Sequence, residues 1–219
     1  MTAIVDYGAG NLTSVRYAFE ALNAEAVVTR DPAVVRTAER VVFPGVGAAK
    51  SAMESLRASG LETAVREAAE TKPFLGICLG MQILFEHSEE DGGVETLGIL
   101  PGQVRRFPDV AGFKVPEIGW NQVRNNRIIE CSNNRMCEGA GEKPASNNST
   151  IRLFDNSIIE FYFVHSYYAE LCPYTVGVTE YAGVKFTAMV KKGRLWACQF
   201  HPEKSGRVGL ELIKEWLSC

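Results

Sequence analysis

Phe74-Leu75-Gly76-Ile77-Cys78-Leu79-Gly80-Met81-Gln82 is the stretch that decides how this chain is read. Phe74 to Ile77 is a short apolar run of the kind that forms a strand buried on both faces. Behind it, Met81, Ile83, Leu84 and Phe85 recur with helical spacing. The junction between the two is Gly-X-Cys-X-Gly. A strand turning sharply into a helix crowds the backbone; a glycine on either side relieves the crowding and projects the central side chain. Cys78 therefore reads as the thiol of a nucleophile elbow. The helix start behind it, with unpaired N–H groups and a positive dipole end, favours a thiolate, and the Leu79 N–H points to where an oxyanion would form. A lone cysteine at a strand end is more often an inert core residue; the paired glycines and the helix start weigh against that here.

Upstream of the elbow, strands and helices alternate. Ala3–Val5 is an apolar run ended by Asp6 and the turn-prone Tyr7-Gly8-Ala9-Gly10, and reads as a central strand. Leu12, Val15, Phe19 and Leu22 mark a helix. Ala26–Thr29 and Val41–Phe43 are further strands, the latter closed by Pro44-Gly45-Val46-Gly47, and helices follow at about Ala48–Arg57 and Leu61–Glu70. This alternation predicts a parallel sheet covered on both faces. Downstream the pattern changes. Val104–Phe107, Ile159–Val164, Val176–Glu180, Phe186–Lys191 and Leu195–Phe200 read as strands with few helices between them, the last two joined by the turn Lys192-Gly193-Arg194. A helix near Val208–Leu217 ends the chain. The expected fold is α/β: one domain over residues 1–219, a central mixed but mostly parallel sheet with flanking helices and an antiparallel extension. The polar stretch from about Arg124 to Ser157, richest in Asn, Ser and Gly over Gly139–Thr150, reads as a surface insertion in that domain.

The totals exclude several classes. The 219 residues suffice for a large core without staples. A net charge of −3, with no basic run longer than a pair, argues against a nucleic-acid or anionic-membrane surface. No stretch approaches the ~20 apolar residues that span a bilayer, and the N-terminus lacks the pattern of a secretory signal. The six cysteines show no CxxC spacing, which fits reduced thiols in a cytoplasm better than a disulfide scaffold. Cys131 and Cys137, without a nearby histidine, are poor metal candidates.

A thiol nucleophile needs a base, and the base needs a group to orient it. Of the three histidines, His201 lies directly after an apolar strand in Gln199-Phe200-His201-Pro202-Glu203. Pro202 stiffens the link, so Glu203 can reach back to hold the imidazole tautomer. His87 reads as exposed at a helix end, and His165, at the end of a strand, as a structural or site-lining group. A cysteine peptidase or γ-glutamyl hydrolase would use a similar elbow, and a binding module could keep the fold but would be expected to lose a triad member.

Gly-Ile-Cys-Leu-Gly-Met-Gln (76–82) with Phe-His-Pro-Glu (200–203) resembles the class I glutamine amidotransferase family. Asp6–Asn11, Pro44–Gly47, Gly119-Trp120-Asn121, Tyr162–Tyr168 and His201–Ser205 narrow the likeness to the glutaminase subunits of imidazole glycerol phosphate synthases, over most of the chain except roughly 124–158. The resemblance implies a catalytic triad of Cys78, His201 and Glu203 and an oxyanion hole from the backbone of Val46, Gly47 and Leu79. It implies substrate contacts from Gly47, Gln82, Glu90, Ser166 and Tyr167, with no cofactor or metal. It also implies a heterodimer with a (β/α)8-barrel cyclase that consumes the ammonia in histidine biosynthesis, with Asn11, Trp120 and Lys204 at the interface. Glu117, where relatives usually carry His or another residue, and the long 124–157 segment depart from the pattern. They leave open a paralogue that supplies ammonia to a synthase forming an amidine on a nucleotide-linked sugar.

Overall fold

The computed structural model describes residues 1–126, 151–154 and 158–219. The first half runs β1 (Thr2–Val5), α1 (Leu12–Ala21), β2 (Ala26–Thr29), α2 (Pro32–Thr37), β3 (Arg40–Gly45), α3 (Ala49–Ser59), α4 (Leu61–Thr71), β4 (Phe74–Cys78) and α5 (Leu79–Gln82). The second half runs β5 (His87–Ser88), β6 (Val94–Glu95), β7 (Gln103–Arg106), β8 (Glu117–Asn125), β9 (Ile158–His165), β10 (Tyr167–Ala169), β11 (Thr175–Tyr181), β12 (Val184–Lys192), β13 (Leu195–Cys198) and α6 (Gly206–Leu217).

Among the described residues the strands form one sheet, ordered β2-β1-β3-β4-β13-β12-β10-β7-β5-β6, with β11, β8 and β9 branching from β12. The five strands β2, β1, β3, β4 and β13 are mutually parallel. β1, β3, β4 and β13 are almost wholly apolar because both faces are covered, whereas β2, at the sheet edge, leaves Val27 and Val28 exposed. Ala3, Val5, Val41, Phe43, Phe74, Leu195 and Ala197 face the core shared with α3 and α4. Their neighbours Ile4, Val42, Leu75, Ile77, Trp196 and Cys198 face the core shared with α1 and α6. Period-two alternation within an all-apolar strand thus assigns each residue to one of two cores.

β12 turns antiparallel to β13 through Gly193 at φ 60°, where the chain reads Lys192-Gly193-Arg194. It then pairs with β10 and with β11, while β8 links β11 to β9 in eight register pairs from Glu117↔His165 to Arg124↔Ile158. This is the antiparallel extension expected from the sequence.

Several local readings need correction. The pattern over Met81–Phe85 yields only one helical turn, Leu79–Gln82, because Ile83, Leu84 and Phe85 spread around the chain to meet Leu97–Leu100 instead of continuing a helix. The sequence pattern marks neither α2 nor β8: α2 is a six-residue helix capped by Asp31, and Glu117–Asn125 alternates buried and exposed residues rather than running apolar. Arg124 and Asn125, placed in the polar insertion, close β8. Beyond it, Ile151 is buried and Arg152–Phe154 forms a turn whose backbone N–H groups at Arg152 and Leu153 donate to Glu215. The rest of the insertion, with Cys131, Cys137 and Gly139–Thr150, lies outside the described residues.

Candidate active site

Three adjacent parallel strands end at one cleft. β3 delivers Val46 and Gly47, β4 delivers Cys78, and the chain leaving β13 delivers His201 and Glu203. Ligand sites in parallel sheets sit beyond the carboxyl ends of the strands, and this cleft, of about 430 Å³, follows that rule. Its walls include Gln82, Glu90, Pro116, His165, Ser166, Tyr167 and Lys204.

Cys78 sits at φ 55°, ψ −113°, a backbone region that costs a non-glycine residue about 1–3 kcal/mol. Close packing holds it there. A Cβ on Gly80 would lie 1.9 Å from the Phe43 carbonyl oxygen, and one on Gly76 would lie 2.7 Å from the Gly80 carbonyl oxygen. The two glycines thus allow the turn to press against β3 as well as relieving its own crowding. The one-turn helix behind Cys78 is too short to carry much dipole. The thiol has side-chain support that the sequence did not reveal: Gln199 Nε2 donates to Cys78 Sγ at 3.7 Å, while Sγ itself lies 3.8 Å from the Val164 carbonyl oxygen as donor.

His201 Nδ1 lies 2.7 Å from Glu203 Oε1, both side chains being 2% exposed. Nδ1 therefore bears a hydrogen and Nε2 is left for Cys78. Nε2 has no other hydrogen-bond partner. Burial alone would lower the imidazole pKa, but hydrogen bonding to Cys78 and Glu203, together with their negative charge, outweighs it and raises the value to about 10. The turn carrying the pair is clamped from behind. Ser205 Oγ donates to the His201 carbonyl at 2.7 Å and accepts from Tyr162 N at 3.0 Å. Gly209 of α6 approaches so closely that a Cβ would lie 1.9 Å from the Pro202 carbonyl oxygen. A glycine inside a terminal helix was the one sequence signal of that approach.

The loop after β3 differs from expectation. The Val46 N–H does not point at the nucleophile; it donates to Tyr7 Oη at 3.2 Å, and the same hydroxyl lies 3.2 Å from the Val46 carbonyl oxygen. Tyr7 is buried against Phe43, and burial pushes its phenol pKa up, so the hydroxyl keeps its proton. The physical reason is supply: a half-buried peptide takes the polar partner within reach. Gly47, at φ 91°, occupies the region where glycine turns freely.

The two adjacent glutamates separate cleanly. Glu89 faces outward to Arg105 at 2.7 Å, whereas Glu90 lines the cleft and accepts the Ala49 N–H at the start of α3 at 2.6 Å. Desolvation raises the Glu90 pKa against that hydrogen bond, with Asp91 adding to the rise. Gln82 is buried and spends its amide hydrogens on the Tyr167 carbonyl at 2.8 Å and Gln199 Oε1 at 3.0 Å, leaving only its oxygen for a ligand. Ser166 and Tyr167 line the cleft through the turn between β9 and β10. His87 stands apart on the short strand β5.

Trp120 is 56% exposed and meets Tyr162 edge-on at 6.2 Å, and Lys204 Nζ lies 5.9 Å above the same tyrosine ring. The Asn11 side chain accepts from Ser14 N at 3.3 Å as the cap of α1. No group of His, Cys, Asp and Glu suited to a metal ion occurs among the described residues.

The model of the class I glutamine amidotransferase family matches residues 3–217. The chain belongs to the class I glutamine amidotransferases. A relative from Dechloromonas aromatica, an imidazole glycerol phosphate synthase subunit HisH, is 47% identical over 98% of this amidotransferase and 94% of its own length. One of the same name from Herpetosiphon aurantiacus is 44% identical over 99% and 93%. A crystal structure of a glutamine amidotransferase superposes with a TM-score of 0.67 over 98% of both chains at 16% identity, which speaks for the fold alone.

Proposed function

We propose that this amidotransferase is the glutaminase subunit of an imidazole glycerol phosphate synthase, releasing ammonia from glutamine for a (β/α)8-barrel cyclase subunit in histidine biosynthesis. The observation that carries the chemistry is the buried line Glu203–His201–Cys78 at the ends of two neighbouring parallel strands. The pathway rests on relatives of one name that are 44–47% identical over nearly the whole chain. They favour it over the nucleotide-sugar paralogue that Glu117 and the long insertion left open.

In the reaction, Cys78 Sγ attacks the glutamine side-chain carbonyl carbon. His201 takes the thiol proton and gives it to the departing ammonia; Glu203 holds the ring and stabilises the imidazolium. The resulting γ-glutamyl thioester is cleaved by water, with His201 as base, releasing glutamate and restoring the thiol. The oxyanion falls to the Leu79 N–H and to the loop after β3, where rotation about Gly47 would free the Val46–Gly47 peptide from Tyr7 and turn a donor inward. Glu90 suits the substrate's ammonium group, and the Gln82 oxygen its polar end. The Tyr167 carbonyl already accepts two hydrogen bonds, so the Ser166–Tyr167 segment offers N–H groups to the substrate carboxylate. Trp120, Lys204 and Asn11 form the partner-facing surface. The four unpaired thiols among the described residues support a cytoplasmic setting, and no helix among these residues is long and apolar enough to cross a membrane.

Reconstitution with the barrel cyclase tests this reading. Cys78→Ala is expected to abolish glutamine-dependent synthesis while ammonium salts still support it. Glutamine turnover that survives in that variant would remove Cys78 as nucleophile. Failure of the cyclase to stimulate the wild-type chain would remove the pathway assignment.

A further inference from the structure

We propose that Glu117 and His165, a buried pair with no part in the triad chemistry, position the Tyr167 peptide that lines the glutamine cleft and, through Gln82 and Gln199, the Cys78 thiol. The proposal rests on the glutaminase reading above.

Glu117 opens β8 and stands opposite His165 in the register with β9. The two side chains are 4% and 2% exposed, with Glu117 Oε2 at 3.1 Å from His165 Nε2. Hydrogen-bond polarity can be read outward from this contact. His165 Nδ1 lies 2.8 Å from the Tyr167 carbonyl oxygen, which can only accept, so Nδ1 carries a hydrogen. Glu117 Oε1 accepts from Asn121 Nδ2 at 2.7 Å, and the second hydrogen of that nitrogen goes to the Glu180 carbonyl at 3.1 Å. Neither Oε2 nor Nε2 has another hydrogen-bond partner, and two bare lone pairs 3.1 Å apart in a buried setting would repel, so one of the two atoms bears a proton.

Beyond Tyr167 the line continues in one sense. Its carbonyl takes a second donor, Gln82 Nε2 at 2.8 Å; the same nitrogen donates to Gln199 Oε1 at 3.0 Å; Gln199 Nε2 donates to Cys78 Sγ at 3.7 Å. The carbonyl has two lone pairs and each amide nitrogen two hydrogens, so no member of the line can reverse without leaving a buried group unpaired. Glu117 is the only carboxylate in it. Its removal strips His165 Nε2 of its partner and frees the ring to rotate away from Tyr167. The Tyr167 peptide then loses one of the two bonds that fix its plane beside the substrate.

The test uses the full chain in complex with the barrel cyclase, comparing wild type, Glu117→Gln and Glu117→Leu. Glu117→Leu is expected to raise KM for glutamine by about tenfold, the effect of one lost buried hydrogen bond, with a smaller change in kcat. Glu117→Gln, which can still donate to Nε2 and accept from Asn121, is expected to hold KM within about threefold. In 15N spectra of the His165 imidazole, Nδ1 should be protonated in both wild type and Glu117→Gln, and Nε2 should move into the acceptor range in Glu117→Gln. An unchanged KM in folded Glu117→Leu, or a wild-type ring bearing its hydrogen on Nε2 alone, overturns the proposal. A wild-type complex without glutamine hydrolysis would instead sink the glutaminase reading, and the spectra would still decide this one.

Discussion

The parallel half of the sheet and its antiparallel wing are built from the same kinds of residues but solve different problems. In β1, β3, β4 and β13 nearly every side chain is apolar and buried, and the reactive groups appear only where these strands end. In β8 and β9 buried and exposed residues alternate, and the buried set includes Glu117 and His165. The core gives the nucleophile and its base a setting with no slack, since its glycines touch neighbouring backbone. The wing gives a polar wall whose geometry depends on hydrogen bonds and whose outer face leaves Ile118 and Trp120 exposed. Rigidity in the core comes from sterics, and order in the wing from how its buried polar groups find partners.

That contrast can be broken by substitution. His201→Asn removes the base while keeping the size and polarity of the side chain, and is expected to lower kcat for glutamine by about 10²–10⁴-fold; because it also strips buried Glu203 of its cationic partner, it costs part of the pair's stability as well. A loss of less than tenfold would move the base elsewhere. Gly80→Ala should act through the fold instead. A Cβ placed 1.9 Å from the Phe43 carbonyl oxygen must displace backbone, for a loss of about 3 kcal/mol or more in denaturant unfolding. Wild-type stability in that variant would mean that the elbow and β3 are looser than the packing shows.

On the wing, Trp120→Ala is expected to leave glutamine hydrolysis by the isolated chain unchanged and to weaken cyclase binding by about 10–30-fold, as for a buried aromatic anchor. Calorimetric titration with the cyclase would measure it, and equal affinity would place the interface elsewhere.

The smallest effect sharpens the electrostatics of the core. The folded His201 pKa is raised from its ordinary 6.5 to about 10, so the pair adds stability that is fully present below pH 6.5 and lost as pH rises through about 10. Cys78→Ala removes one of the two groups that stabilise the imidazolium. NMR titration should show His201 losing its proton at lower pH in that variant, and the fall in unfolding free energy between pH 6.5 and 10 should become shallower. An unshifted titration would assign the rise to Glu203 alone.

Strand identity in the core was legible because burial on both faces leaves a run of apolar residues that nothing else in the chain imitates. Cys78, His201 and Glu203 were legible because glycines and a proline mark the turns that project them. β8 was missed because a strand with one solvent-facing side mixes Ile118 and Trp120 with Asn121, Gln122 and Arg124, a mixture that resembles a polar loop. The helix after Cys78 was overread because apolar residues at helical spacing can equally line a compact irregular turn, as Ile83 to Phe85 do.

The sequence by itself determined the kind of chemistry, since a thiol between two glycines and an imidazole two residues before a carboxylate are local facts of the chain. Only the tertiary structure decided which groups surround them. Gln199 beside the thiol, Tyr7 on the Val46 peptide, Gly209 against Pro202 and Glu117 opposite His165 are separated along the chain by 121, 39, 7 and 48 positions. Such contacts follow from strand order and register. Residues that meet across a sheet carry no mark of each other in the linear chain, so their hydrogen-bond polarity exists only once the strands are paired.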